Sequence, residues 1–480
     1  MSSAIENEET PAEKRASLQE QTHAKMVSSP IGRLVITLAV PSIISLMVTA
    51  IYNLTDTFFV GQLGTSASAG VGIVYPLMTI INSVGLLFGK GTGTCIARLL
   101  GNCDTRKAEE FGVLGLYAVF AVCILLAAPA LALATPLARF LGATDSMMVY
   151  SVGYITFILI AMPFKAASVT LSSMLRFQGY FARSMVGLSS GAILNVILDP
   201  LFIFGFHWGV KGAAIATMLS EIFSYAVLTI QFHREGSIRL RYKEFHFSRD
   251  YLSTIIRGGF PSLVKNSLSS VATILLNVSA GIYGDAAVAA LSIVARFIHV
   301  CQTVFFGIGE SCQSVCSFNY GARHYDRVRA CFWFCIRTGL VMMLAISFLS
   351  WLGAPDIIAL FRRDDAEVIR IGTIALKLQL TMLPLIPVCS TAFVMLQGIG
   401  KNTQAMLVGI GRQGMFLVPI LLVLPHFFGL TGILAAQPIS DFLAFLQAMF
   451  LVRPVLAELS RMQTAEGGSQ PITLRETLPL

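Results

Sequence analysis

The sequence predicts an all-α integral membrane protein of twelve transmembrane helices, built as two six-helix bundles related by a parallel pseudo-two-fold repeat. Three observations predict it. Of 480 residues 55% are hydrophobic and only 12% charged, against roughly 25% charged in a typical soluble domain, so most of the surface faces something other than water. Apolar runs of ~20 residues or more, enough to cross ~30 Å of hydrocarbon, recur along the whole chain. Residues that match between the two halves lie at one constant spacing.

Gly, Pro and charged clusters punctuate the runs into spans at 34–60, 66–97, 109–135, 148–174, 184–205, 210–232, 252–280, 286–318, 328–352, 367–395, 404–426 and 430–453. Residues 1–33 are polar and mixed in charge, with no apolar signal core, and read as a cytoplasmic N-terminal tail. Residues 34–232 form the first six-helix bundle, 233–251 a charged cytoplasmic linker, and 252–453 the second bundle. Residues 454–480 read as a cytoplasmic C-terminal tail, expected to be disordered for want of apolar residues.

With the N-terminus in the cytoplasm, fifteen Lys and Arg border the inner loops, Arg98, Arg106, Arg239, Arg241, Lys243 and Arg323 among them. The outer side has five: Arg139, Lys211, Arg362, Arg363 and Arg370, the last three close to Asp364, Asp365 and Glu367. The positive-inside rule then places both termini in the cytoplasm, in a multi-pass protein of the inner (plasma) membrane. The net charge of +8 is scattered over short loops rather than gathered on one face, which argues against nucleic acid as a partner. The lipid bilayer is the expected partner, and a monomer the expected state.

The repeat is read directly from residues. Pro41-Ser42 recurs as Pro261-Ser262, Gly64 as Gly284, Gly89 as Gly309, Gly101 as Gly321 and Ser220-Glu221 as Ser440-Asp441, each 220 positions apart. Pro163 and Pro384, like Gly179 and Gly400, differ by 221, which marks a one-residue insertion. Six helices per repeat is an even number, so both copies enter the membrane from the same side and the repeat is parallel. Two bundles around a central cleft is the architecture this implies.

Ionisable groups within spans are costly and mark candidate sites, at ~2.5–3.5 kcal/mol each on insertion scales. Asp56 lies in the first span, Asp199 in the fifth with Asn195 one turn earlier, and Thr217 and Glu221 one turn apart in the sixth. Carboxylates, an amide and a hydroxyl make an oxygen-rich cage for Na⁺, or a cluster that shares a proton. Pro41 and Pro200 each free a helical carbonyl, at Thr37 and Val196. At the 220 register Asp56 becomes Leu276, Asn195 Met415 and Asp199 Pro419, so the coupling chemistry is expected in the first bundle alone. The second bundle carries Lys265, Arg296, Glu310, Lys377 and Asp441, read as buried charges that either pair between helices or line a cavity.

Other signals are weaker. Cys312/Cys316 and Cys331/Cys335 are helical i,i+4 pairs, able in principle to grip a soft metal, although small core residues account for them as well. GKGTG at 89–93 follows no strand and lacks the P-loop ending. No Ser/His/Asp order, HExxH or EF-hand loop is present, and the chain is not expected to be an enzyme or to hold a cofactor beyond a coupling ion.

YNLTDTFFVGQLG, NVILDPLFIFG, WGVKGAAIAT and FNYGAR together resemble the multidrug and toxic compound extrusion (MATE) family in its DinF-like and MepA-like branch, over roughly residues 30–453. The resemblance implies a central cavity and export of small organic compounds, often cationic, in exchange for Na⁺ or H⁺ by alternating access. It also implies that Asp56, Asn195, Asp199 and Thr217 bind the cation and that the first helix bends at Pro41; Glu221, one turn from Thr217, is read from its position as an auxiliary acid. Gln313-Ser314 stands where Gln-Pro is usual, Glu310 where a small or apolar residue is usual, and Glu221 where Gln is common. The substrate cavity is accordingly expected to involve Glu310, Lys265, Gln313 and Asp441, with Glu310 and Glu221 tuning preference for cations. The alternative is a lipid-linked saccharide flippase of related two-bundle fold, which Lys265, Arg296 and Lys377 would suit.

Overall fold

The computed structural model describes residues 11–240, 247–362 and 365–466, and among these every regular element is a helix. Arg241 and Lys243 of the linker, Arg363 and Asp364, residues 1–10 and residues 467–480 lie outside the described residues. After a short N-terminal helix α1 (Pro11–Ser28), the first lobe contains α2 (Ile31–Gly61), α3 (Thr65–Gly72), α4 (Tyr75–Gly101), α5 (Thr105–Ala132), α6 (Ala134–Phe140), α7 (Asp145–Phe177), α8 (Phe181–Pro200) and α9 (Gly209–Glu235). The second lobe contains α10 (Arg249–Gly281), α11 (Asp285–Gly321), α12 (Tyr325–Leu352), α13 (Ala354–Phe361), α14 (Ala366–Met382), α15 (Ile386–Gly398), α16 (Asn402–Ile410) and α17 (Leu417–Glu466).

Ten stretches among the described residues are long and apolar enough to cross a membrane. One of them, Asn402–Ala465, is two spans, because α17 breaks at Gly429 (φ 56°, ψ −137°). The twelfth span is α10, 33 residues long but more polar than the rest. The protein is therefore a twelve-helix, multi-pass membrane protein.

The repeat is visible in the backbone. Gly64 and Gly284 sit at φ 104° and 98° with ψ 167° and 168°, a conformation only glycine adopts easily. Cys103 and Arg323, also 220 apart, both take positive φ, at 59° and 61°. The first helix of each lobe packs on the second helix of the other, α2 on α11 and α10 on α4. Glycines permit the approach: a Cβ on Gly259 would lie 1.7 Å from the Leu87 carbonyl, and one on Gly321 1.9 Å from the Arg98 carbonyl. Burial is concentrated in the second halves of α4 and α11, whereas Tyr75, Ile80 and Val300 in their first halves are exposed. The lobes thus join at the end carrying Gly101 and Gly321 and part toward the end carrying Gly64 and Gly284.

Two segments differ from the sequence expectation. In the predicted N-terminal tail, α1 lies across the joined end of both lobes. Thr22 meets the Tyr180 hydroxyl at 3.0 Å, His23 the Gly101 carbonyl at 3.3 Å, and Gln19 donates to the Ser237 carbonyl. On the other lobe, Asn319 and Arg327 donate to the Met26 carbonyl at 3.2 and 3.3 Å, and Arg327 to that of Ser29 at 2.7 Å. At the other terminus α17 continues to Glu466, into the stretch expected to be disordered. Val455 and Leu459 are buried there, Lys401 pairs with Glu458 at 2.8 Å, and Arg329 donates to Ser460 at 3.0 Å. One apolar face suffices to dock each segment although its average composition is polar.

Candidate cation and substrate sites

Three helices of the first lobe bring the predicted acid cluster together. Asp199 and Asn195 lie one turn apart on α8 and Thr217 faces them from α9, all three buried. In the orientation that satisfies its partners, the Asn195 amide donates to Asp199 Oδ2 at 2.9 Å and accepts from the Thr217 backbone N–H at 3.3 Å. Asp56 on α2 faces Asp199, and its Oδ1 is buried without a hydrogen-bond donor. The Tyr154 hydroxyl is also buried beside this group, next to Thr217. Immediately beyond Asp199, Pro200 brings no N–H and the helix widens into a π turn at Leu201–Gly205, a feature frequent at functional sites.

Such orphaned oxygens are costly when buried. Two facing carboxylates also repel, and either a shared proton or a bound cation removes the repulsion. A hard cation such as Na⁺ suits this all-oxygen donor set. The arrangement can therefore exchange one charge for another, and nothing in it resembles a nucleophile–base pair.

Glu221, predicted as an auxiliary acid, is paired instead with Lys165 of α7. Asp441, its counterpart in the second lobe, is held by Arg412 (2.7 Å) and Gln437 (2.8 Å) and does not line the cavity between the lobes, contrary to expectation. Both partners belong to the second lobe, Gln437 to the same helix α17 and Arg412 to the π turn Gly411–Phe416 that precedes it. Arg296 is exposed rather than buried, and Lys377 rests its ammonium on the Trp351 ring at 4.5 Å. α2 is continuous through Pro41.

The inter-lobe cavity has a volume of about 120 Å³, and Lys265, Glu310, Gln313 and Lys90 are among the residues that line it. Lys90 Nζ donates to Glu310 at 2.5 Å and to Gln313 at 2.9 Å, while Arg176 approaches Glu310 to 3.3 Å. Gln313 donates to Gln397 at 2.8 Å, which donates in turn to the Gly258 carbonyl at 2.8 Å. Glu310 was expected to attract cationic compounds, but here it is the partner of two side chains from the opposite lobe. Lys90 is not among the site residues singled out from the sequence. Its signal was present, since Lys90 and Glu310 occupy the same repeat position with opposite charge.

Four of the five cysteines of α11 and α12 are fully buried, Cys312, Cys316, Cys331 and Cys335, and the first three lie with their sulfurs mutually within 4.8 Å. Cys312 contacts Cys316 and Cys331 at 3.8 Å each, the distance of thiols packed against one another in a core.

Two lobes of six membrane spans, a cavity between them and an oxygen-rich acid cluster inside one lobe define a membrane transporter of the two-bundle class. The MatE family profile matches residues 41–201 and 261–423, one match per repeat, and the chain belongs to this family. It is 27% identical over 429 residues to the multidrug export protein MepA of Staphylococcus aureus, covering 88% of this chain and 94% of that one. MepA of Staphylococcus saprophyticus is 27% identical over 416 residues, with 86% and 92% covered. A MATE structure in the bent conformation superposes with a TM-score of 0.87 at 25% identity, covering 94% and 99%. A MOP superfamily transporter from Pyrococcus furiosus superposes with a TM-score of 0.86 at 25% identity, covering 92% and 99%.

Proposed function

We propose that this protein is a secondary active multidrug efflux transporter of the plasma membrane, exporting small organic compounds in exchange for Na⁺ or H⁺. The observation that supports it most is the lone Asp56 carboxylate oxygen beside Asp199, Asn195 and Thr217 in the first lobe, a group with no acidic counterpart at the equivalent positions of the second. The relatives named multidrug export protein agree with this and disfavour the flippase alternative.

With both termini cytoplasmic, the joined end of the lobes is the inner one, and the cleft opens outward. A cation then reaches Asp56 and Asp199 from outside. Its binding shifts the first lobe, with α2 bending at Pro41, and lowers affinity for substrate, which leaves outward. Coupling of this kind is reciprocal, so substrate arriving from the cytoplasm expels the cation. The protein works as a monomer, since each chain holds both lobes and the cavity between them.

The test is transport by purified protein in liposomes, with Na⁺ and pH gradients imposed separately. Uptake of a fluorescent substrate driven by one gradient, and absent without any, is the expected result. Gradient-independent leakage would instead make the protein a channel.

A further inference from the structure

We infer that the inter-lobe cavity contains an anion site centred on Lys265, and that the transporter accepts amphipathic organic anions: a carboxylate, sulfonate or phosphate carried on an apolar body. The inference rests on the exporter reading above and names a substrate class for it.

The charge inventory of the cavity carries the argument. Lys90 and Lys265 line it together with Glu310, and Arg176 reaches the same carboxylate. Three cations therefore share one anion, and Glu310 is committed to the two from the opposite lobe, at 2.5 and 3.3 Å. The other acid of this region, Asp441, is bound by Arg412 and Gln437. Lys265 has no ion-pair partner among the described residues. Its Nζ instead lies 4.5 Å from the centroid of the Phe393 ring, a contact that steadies an ammonium without filling its N–H donors.

The surroundings suit an amphipathic ligand. Ser262, Asn266 and Ser390 offer hydroxyl and amide groups beside Lys265, while Phe305, Phe306 and Phe393 form apolar walls. An anion entering a partly dry cavity gains a weakly screened attraction to an uncompensated ammonium, and a cation meets the reverse. In the repeat Lys265 corresponds to Ser45, so this cation is private to the second lobe as Asp56 and Asp199 are private to the first. The lobes have opposite polarity, one suited to the coupling cation and the other to an organic anion.

The test is equilibrium binding to purified protein in nanodiscs of zwitterionic lipid, with no gradient present, using a matched set of naphthalene ligands bearing a sulfonate, a neutral sulfonamide or a trimethylammonium group. The sulfonate should bind tightest to the unaltered protein, an order that needs no variant. Lys265→Met should weaken it roughly 5–30-fold, the loss of one charge-assisted contact. Lys265→Arg should retain it, and the sulfonamide should change less than about 2-fold in either variant. Phosphatidylglycerol added to the discs displaces the sulfonate if a lipid headgroup is the occupant and leaves it bound if a solute is; both agree with an anion site. Tightest binding of the trimethylammonium ligand, or equal weakening of sulfonate and sulfonamide by Lys265→Met, would overturn the inference. Failure of the exporter reading shows separately, as absence of gradient-driven transport of any ligand.

Discussion

Lys90 and Glu310 occupy the same position in the two repeats, 220 residues apart, and their side chains meet at 2.5 Å across the junction of the lobes. A pseudo-two-fold axis brings equivalent positions of α4 and α11 face to face, so opposite charges at one repeat position become an inter-lobe bond. Lys90 is nearly buried and Glu310 largely so, at 6% and 24% side-chain exposure. Glu310→Gln would leave Lys90 and Arg176 without their counter-charge, which costs on the order of 3 kcal/mol for a buried pair. The expected outcome is a shift toward separation of the joined end. Spin labels at Arg106 and Asp326, in a background without native cysteines, should report a longer distance population in the variant. An unchanged distance distribution would show that the glycine contacts between α4, α10 and α11 suffice alone.

Asp56→Asn and Asp199→Asn should each abolish gradient-driven efflux while the protein remains inserted and folded, because neutralising an acid within a span lowers its insertion cost. Efflux by purified protein is the measurement. Normal transport by either variant would remove that residue from the coupling site.

Glu221 and Asp441 are equivalent in the repeat, and each is held by a cation of its own lobe, Lys165 and Arg412. Glu221→Gln and Asp441→Asn should therefore act alike, lowering thermal stability in detergent through an unpaired half-buried cation while cation binding at Asp56 and Asp199 persists. Loss of cation binding in Glu221→Gln alone would restore Glu221 to the coupling site.

Helix α1 bridges the lobes through Thr22 and His23 on one side and the Met26 carbonyl on the other. Burial holds the His23 imidazole below its ordinary value of 6.5, with His324 adding to the effect and the Gly101 carbonyl opposing it. A depressed value means that the docked helix binds protons less readily than the free one. Docking is therefore fully favoured above about pH 6.5 and weakens as the pH falls below it. The hydrogen-exchange protection factors of residues 17–28, corrected for the intrinsic pH dependence of exchange, should fall on acidification in the parent protein and lose that dependence in His23→Gln. An identical pH response in both would assign the effect to another group.

The sequence by itself determined the membrane class, the spans and the repeat. These depend on local apolar length and on a period of 220 residues that survives in glycines and prolines such as Gly64/Gly284 and Pro41/Pro261. It also singled out Asp56, Asn195, Asp199 and Thr217, because a polar residue far inside an apolar run is conspicuous without any tertiary knowledge. Only the tertiary structure decided which charges meet. Lys90 takes Glu310, Lys165 takes Glu221, Arg412 takes Asp441, and Lys265 is left with a phenylalanine ring. The ion pairs join different turns and helices, 29 to 220 residues apart, and each depends on a few ångströms of helix packing, which no one-dimensional pattern encodes. The docking of α1 and the length of α17 escaped for a related reason: a single apolar face is a weak signal in a polar segment until a partner surface is present to bury it.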